Sequence, residues 1–581
     1  MFKIPFSHLA VMTALLFGAF FWSVPASAQP AHWPVDYFSA PLDIPLFLSG
    51  NFAELRSNHF HSGIDIKTQG VEGMNVVAAA EGYVSRIRIS PYGYGNALYI
   101  DHPNGYTTVY AHLKTLSPKL ALLARVEQYS LESFELDLKL EPHQAPVERG
   151  EVIAKSGNTG GSGGPHLHFE IRETTSQLSL NPLLFNFAIK DDIPPIVRGL
   201  RVYPMSDSST VEGRRDDMSY VVAGSNGKYT LKNQQVVRVF GPASFAVHTY
   251  DLLNEFPNKC GIHRIRLYQE DELIFESQLD SINFNTFRQI NTYKDFRLFH
   301  LKKWHYHRSY VSPYNDLTVY KTAVNNGVVH LPHGRHSFQY VVNDSYGNES
   351  TLQFQVEWLT QAPATVPTVG KKVKDVFHHD RENVFETDNL ALTIPPQRLY
   401  EDTDFTYAEG AKLWNSLGPV HHIHDGMVPV DKWFTLRMKI DDIPEELEEK
   451  VLVTAVTGGQ YHKAKGGRYK DGWVTTRLRE FGSFTARIDT VPPRIKPMNI
   501  FNGKNMAGVP RIDLSITDDL SGIKHFEARI DGEWILMEYE PKASRITHHL
   551  EKGRFKGTRE LVVKVTDERN NVATYKASLN F

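Results

Sequence analysis

At 581 residues the chain is too long for one domain, and domain-size ranges suggest roughly three to five units. Its 41% hydrophobic and 22% charged residues exclude a disordered or fibrous chain, and a net charge of -3 gives no footprint for a polyanion, so nucleic acid is not an expected partner. A single cysteine, Cys260, excludes an intrachain disulfide and a thiolate zinc site, so any metal must be held by His and Asp or Glu.

The N-terminus has the form of a secretory signal: Lys3, an apolar run from Leu9 to Trp22, and the small-residue stretch Ala26-Ser27-Ala28. This predicts a signal peptide over 1–28, cut after Ala28, and an exported protein with no membrane span left after cleavage. A proline-rich lead-in (Pro30, Pro34, Pro41, Pro45) follows. From His61 to Phe185, short apolar runs broken by glycine predict a meander of antiparallel strands, with Asn104-Gly105 as a hairpin turn. Ser117-Pro118 opens a helix carrying Leu120, Leu123, Val126 and Tyr129, and Phe134 to Leu140 then alternates as a strand. This 117–149 insertion is expected to be either a lid or groove wall over the site or an embellishment that only packs on the domain.

Beyond Asp191 an internal repeat begins. Asp191-Asp-Ile-Pro194-Pro195 matches Asp489-Thr-Val-Pro492-Pro493, and Cys260-Gly261-Ile262 after Asp251 matches Ser521-Gly522-Ile523 after Asp518. Asp344-Ser-Tyr-Gly347-Asn348 matches Asp567-Glu-Arg-Asn570-Asn571. The strand rhythm predicts a β-sandwich over 191–360, lengthened by an insertion near 280–330, and a second over 489–581. A linker is expected over 361–385 and a further β-rich unit over 386–488. The His421-His422-Ile-His424-Asp425 cluster in that unit is expected to be structural, its polar residues alternating along a strand.

Two stretches about a hundred residues apart carry the chemistry: His59-Phe-His61-Ser-Gly63-Ile-Asp65 and Gly164-Pro-His166-Leu-His168-Phe-Glu170. Tyr110-Ala-His112-Leu113 lies between them. On a strand His166 and His168 share one face, with Leu167 and Phe169 turned to the core. Catalytic zinc takes three protein ligands and keeps one position open for water, a count that two His and one carboxylate satisfy. The remaining imidazoles could then move a proton or steady an oxyanion.

These motifs resemble those of the lysostaphin/LytM-type zinc metallopeptidases, and Gly93-Tyr-Gly95-Asn96 and Asn158-Thr-Gly160 match the glycine-rich surroundings of that domain. The resemblance covers roughly residues 50–185. It implies an antiparallel β-sheet metallopeptidase domain, placed over 29–190, and with the several β-sandwich (Ig-like) domains that the repeat predicts the chain is expected to be mainly β. It also implies zinc held by His61, Asp65 and His168, with His166 as the base and His112 stabilising the tetrahedral intermediate. The implied substrate is bacterial peptidoglycan, cut at the D-Ala–diaminopimelate cross-link in the periplasm. The alternatives are a non-catalytic cell-wall regulator that recruits an amidase, and a zinc endopeptidase acting on a protein. The sandwich modules offer surfaces for a protein partner. Two features depart from the family pattern: the 117–149 insertion, and the lack of a tyrosine between Tyr37 and His61, which leaves one oxyanion role unassigned. His59 is expected to be a neighbour of the site rather than a ligand.

Overall fold

The path of the chain after residue 35 is set by short strands whose alternate side chains are apolar. The computed structural model describes residues 33–254, 257–362, 374–440, 442–458 and 461–581. The expected signal peptide and residues 363–373 of the expected linker lie outside the described residues. The protein is mainly β, and among the described residues no helix is long and apolar enough to cross a membrane.

The first domain runs through β1 (Leu48–Gly50), β2 (Ile64–Lys67), β3 (Asn75–Val77), β4 (Gly82–Ile89), β5 (Ala97–Asp101) and β6 (Tyr106–Ala111). After β7 (Thr115–Leu116) come α1 (Pro118–Leu131), β8 (Leu136–Lys139), β9 (Pro146–Val147), β10 (Val152–Lys155), β11 (His166–Glu173) and β12 (Ser179–Leu180). The main sheet has the order β1-β2-β11-β6-β5-β4-β8, each neighbouring pair antiparallel. One face is closed by apolar residues such as Ile64, Ile66, Leu98, Ile100, Leu167 and Phe169, all fully buried.

The 117–149 insertion does not cover Asp65 and His166, but its Gln128 and Phe134 wall a second cleft shared with Asn158 and Thr159. Its strand β8 pairs with β4, at the edge of the sheet opposite β1 and β2. The buried stripe of α1 is Leu120, Ala124 and Gln128, an i, i+4 row, whereas Val126 is exposed. The outer face of α1 instead meets the C-terminal sandwich. Tyr129 packs edge-on against Trp534 with ring centroids 5.1 Å apart and accepts a hydrogen bond from Arg554 at 2.9 Å, and Arg125 pairs with Glu551 at 2.7 Å.

Beyond residue 190 the strands build sandwiches. The first surrounds a core that includes Leu200, Phe245, Phe275, Tyr340 and Trp358. Residues 383–488 form two five-stranded sheets that share a core of Leu392, Leu436, Val453 and Phe484. Asp375–Phe377, inside the stretch expected to be a linker, is a strand paired with Thr403–Phe405, because Phe377 stacks on Phe405 with ring centroids 4.0 Å apart. The last sandwich packs a four-stranded against a five-stranded sheet.

The first sandwich is bound tightly to the segment that leads into the first motif. Gly261 donates its N–H to Asn51 Oδ1 at 2.6 Å and accepts from Asn51 Nδ2 at 2.9 Å. The 280–330 insertion contributes Ile282, Ile290, Tyr293 and Leu317 to one core with Phe52, Leu55 and Phe60. Lys294, fully buried, donates through Nζ to the carbonyls of Arg56 and Ser57, and burial pushes its pKa down to about 6.

Only glycine fits at 261, since a Cβ there would stand 2.9 Å from Glu54 Cα and 3.1 Å from the Ala53 carbonyl carbon. Gly261→Ala is therefore expected to cost about 1–3 kcal/mol of stability by overpacking this seam, read from the urea midpoint.

Candidate active site

The site is set by strand register. On β2 and β11, His168 pairs directly with Asp65, and Leu167 and Phe169 flank it toward the core. Gly63, just before β2, permits this approach, because a Cβ there would lie 2.3 Å from the Phe169 carbonyl oxygen. On the other side of β11, His168 pairs with Ala111, so His112 follows at the end of β6. His112 has φ +61°, which bends the chain at that strand end and is an uncommon conformation for a residue with a Cβ.

His61, Asp65 and His168 come together. Nε2 of His61 lies 3.0 Å from Asp65 Oδ1 and 3.1 Å from His168 Nδ1, and His168 Nδ1 lies 2.9 Å from Asp65 Oδ1. His166 Nε2 is 3.3 Å from the same Asp65 oxygen. The His112 ring centroid lies 4.8 Å from that of His166 and 5.9 Å from that of His168. His59 stands apart, with its ring 5.7 Å from Phe287.

Each of the four imidazoles is anchored by one nitrogen to an oxygen that only accepts. His61 Nδ1 donates to the Asn51 carbonyl at 2.7 Å, His112 Nδ1 to the Thr159 carbonyl at 2.8 Å, and His166 Nδ1 to the Gly164 carbonyl at 2.8 Å. His168 Nε2 donates to Glu170 Oε1 at 2.8 Å. A neutral imidazole carries a single N–H, so in that state the second nitrogen of each ring keeps a lone pair that can ligate a cation. His61, His168 and Asp65 thus offer three lone pairs about 3 Å apart, close to the roughly 3.3 Å edge of a tetrahedron with 2.0 Å bonds. The residues fit a small divalent cation, held by two nitrogens and one carboxylate.

The electrostatics favour positive charge at this point. Burial opposes charge on His168, but hydrogen bonds to Asp65 and Glu170 outweigh it and raise its pKa to about 9. His112 shows the reverse: burial, and then the neighbouring His168 and His166, push its pKa down to about 3, so it stays neutral.

Sequence reasoning missed the supports. Glu170 is fully buried, accepts from Ser62 and Tyr94 at 2.6 Å each, and pairs with Arg172 at 2.6 Å. Burial disfavours its charge, but Arg172 and His168 together hold its pKa far below the usual carboxylate range. The signal was the continued alternation His166, His168, Glu170, Arg172 on one strand face. Arg56, near Asp65 Oδ2 at 3.4 Å, lines a cleft of 540 Å³ with Asp65, Lys67 and His166.

A further support comes from the far end of the chain. Lys542 Nζ donates to the Asn158 carbonyl, and to the Ser162 carbonyl at 3.1 Å. This loop also supplies the Thr159 and Gly164 carbonyls that anchor His112 and His166, and Ser162 Oγ lies 3.1 Å from His166 Nδ1. A cleft of 550 Å³ lies along the same seam, lined by Lys114, Asn158 and Thr159 on one side and Glu540, Lys542 and Arg545 on the other.

The His421–Asp425 histidines diverge. His421 Nδ1 meets Tyr407 Oη at 2.9 Å, His422 Nδ1 meets Ser483 Oγ at 2.7 Å, and His424 Nδ1 meets Thr406 Oγ1 at 3.1 Å.

Residues 59–128 and 135–182, which hold all three motifs, match the family described as Peptidase family M23. The chain carries an M23 peptidase domain. Residues 374–489 match a Zu5-like domain. Among curated relatives, the DD-carboxypeptidase/endopeptidase Mpg of Neisseria meningitidis serogroup B is 36% identical over 118 residues, which is 20% of this chain and 21% of the relative. The peptidoglycan DD-endopeptidase ShyB of Vibrio cholerae is 34% identical over 111 residues, 19% of this chain and 20% of the relative. The murein hydrolase activator NlpD of Escherichia coli is 33% identical over 125 residues, 22% of this chain and 26% of the relative. The chain therefore spans only about a fifth to a quarter of the length of these relatives. The catalytic domain of lysostaphin from Staphylococcus simulans is 23% identical over 23% of this chain and 87% of its own, with a TM-score of 0.18.

Two outcomes follow for the M23 domain. Arg172→Leu leaves Glu170 buried without its cation and should cost about 3–5 kcal/mol by chemical denaturation, with part of the loss recovered in the Glu170→Gln/Arg172→Leu double variant. Lys542→Met should raise amide hydrogen exchange across residues 158–164 by about tenfold while leaving exchange in β11 unchanged.

Proposed function

We propose that this protein is an exported zinc metalloendopeptidase that hydrolyses peptide cross-links of bacterial peptidoglycan. The observation that carries this reading is that His61, His166 and His168, each anchored through one nitrogen, turn the other to within 3.3 Å of Asp65 Oδ1, with the His112 ring beside His166. The names of the DD-endopeptidase relatives support the substrate class, and a D-Ala–diaminopimelate bond fits it. The N-terminal signal pattern supports export to the periplasm of a Gram-negative cell.

His61 Nε2, Asp65 Oδ1 and His168 Nδ1 are the atoms that would hold zinc. When bound, the metal supplies Lewis acidity that polarises the scissile carbonyl and acidifies a water molecule. His166, with Nδ1 tied to Gly164, turns a bare Nε2 toward this centre and takes the proton of the attacking water. The same nitrogen can return that proton to the leaving amine. His112 is neutral with its N–H committed to Thr159, so its bare Nε2 can hold the attacking water by accepting a hydrogen bond, and it would steady an oxyanion only as the tautomer that carries its proton on Nε2. Glu170 and Arg172 hold the His168 ring and move no proton. The 540 Å³ cleft beside Asp65 and His166, with Arg56 and Lys67 on its wall, suits the carboxylate-rich stem peptides of the wall.

Purified sacculi digested with the protein should release cross-link cleavage products by liquid chromatography and mass spectrometry. Release should vanish with a chelator, return with zinc, and fall to background in His168→Ala. A His168→Ala chain that fully restores growth in cells lacking the protein would instead favour the regulator reading suggested by the relatives named as hydrolase activators.

A further inference from the structure

The two sandwiches that share the internal repeat also share a feature the M23 domain does not use. Three aspartates lie at matched positions of each repeat: Asp191, Asp251 and Asp344 in the first, and Asp489, Asp518 and Asp567 in the last. In each set, one carboxylate oxygen per residue lies within 4.8 Å of the others. The hydrogen bonding around them repeats as well. Asp344 Oδ1 accepts from the N–H of Tyr346 and Asn348 at 2.9 Å each, as Asp567 Oδ1 accepts from Arg569 at 2.8 Å and Asn571 at 2.9 Å. Asn348 Nδ2 reaches the Asp191 carbonyl at 3.2 Å, and Asn571 Nδ2 the Asp489 carbonyl at 3.0 Å.

A carboxylate cluster can be a mere by-product of turn chemistry, and in the last sandwich the turns use most of it. There Asp518 Oδ2 accepts from Leu520 and Gly522, and Asp489 Oδ2 accepts from Ser521. The first sandwich differs. Asp251 is only 1% exposed, yet its Oδ1 has no hydrogen-bond partner. Asp191 Oδ2 and the Tyr346 hydroxyl, both buried atoms, are also unpartnered. Among the described residues, none of these three aspartates takes part in an ion pair with Lys, Arg or His. An unpaired buried carboxylate is strongly unfavourable unless a positive charge is placed beside it.

We propose that Asp191, Asp251 and Asp344 hold a calcium ion at the seam between the M23 domain and the first sandwich. The donors are all hard oxygens with no imidazole or thiolate among them, which suits calcium and disfavours zinc. Magnesium keeps its water shell and strict octahedral geometry, so a buried carboxylate such as Asp251 suits it less. The ion ties together three separated chain segments beside the clamp on the site. Asp251 pairs in register with Cys260, Gly261 follows and grips Asn51, and Ser345 accepts from Asn181 at 3.0 Å.

Calorimetric titration of the whole zinc-saturated chain with CaCl2 tests this, independently of whether the chain cleaves peptidoglycan. Saturable binding is expected, weakened at least about tenfold by Asp251→Asn and kept in Asp518→Asn. In calcium-free buffer Asp251→Asn should melt no lower than the parent, because it relieves like-charge repulsion, while calcium should raise the melting midpoint of the parent alone. Asp191→Asn, at the less buried position, provides a second variant should Asp251→Asn misfold. No saturable binding in the parent, or binding unchanged in a folded Asp251→Asn or Asp191→Asn chain, overturns the proposal, as does equal binding of magnesium at the same concentration.

Discussion

One strand pairing fixes everything chemical in this molecule: β2 against β11, with Asp65 opposite His168. Sheet register is discrete, so a slip of one residue would send Asp65 to the opposite face and bring Ile64 or Ile66 to the cluster. The register is held by the apolar face, where Ile64, Ile66, Leu167 and Phe169 are fully buried, and by Gly63, where no larger residue fits. From that pairing His166 follows two residues away on the same face, and His112 follows from the next strand over. The positions of four of the functional side chains therefore reduce to the registers of two adjacent strand pairs, and His61 enters from the segment just before β2.

Register places the side chains, but their ring orientations come from elsewhere. His61 is aimed by the Asn51 backbone, and Asn51 is clamped by Gly261 of the first sandwich. The Arg56–Ser57 backbone is held by Lys294 from the 280–330 insertion. His112 and His166 are aimed by the 158–164 loop, which Lys542 of the last sandwich grips. Hydrogen bonds of this kind are worth about 1 kcal/mol each, too little to decide whether the domain folds, but enough to decide how narrowly a ring is held.

Much of the centre was legible in the sequence because it is local. His166, His168 and the alternating core residues of β11 obey a period of two, and the three motifs sit at strand positions that pattern alone identifies. Glu170 and Arg172 obey the same period, but alternation alone does not show that they pair with each other and brace the His168 ring. What could not be read was long-range. Nothing near Leu123 or Val126 says that α1 turns its outer face to Trp534 and Arg554 rather than over the cleft. Likewise the repeat announced two sandwiches, while the difference between their aspartate clusters lies in single hydrogen bonds that pattern does not carry.

The contacts that finish the site are also far apart in the order of synthesis. Asn51 waits for Gly261, which is 210 residues downstream, and Asn158 waits for Lys542, which is 384 residues downstream. Domains generally fold as they emerge, N-terminal first, so the sheet bearing the histidines can form early with its supports missing. The last brace is added only after residue 542 has been made. A protein built in this order carries its own timer: a truncated or half-made copy has every motif in place but lacks the braces that hold the rings, so length itself becomes a check on when the cleft is fully assembled.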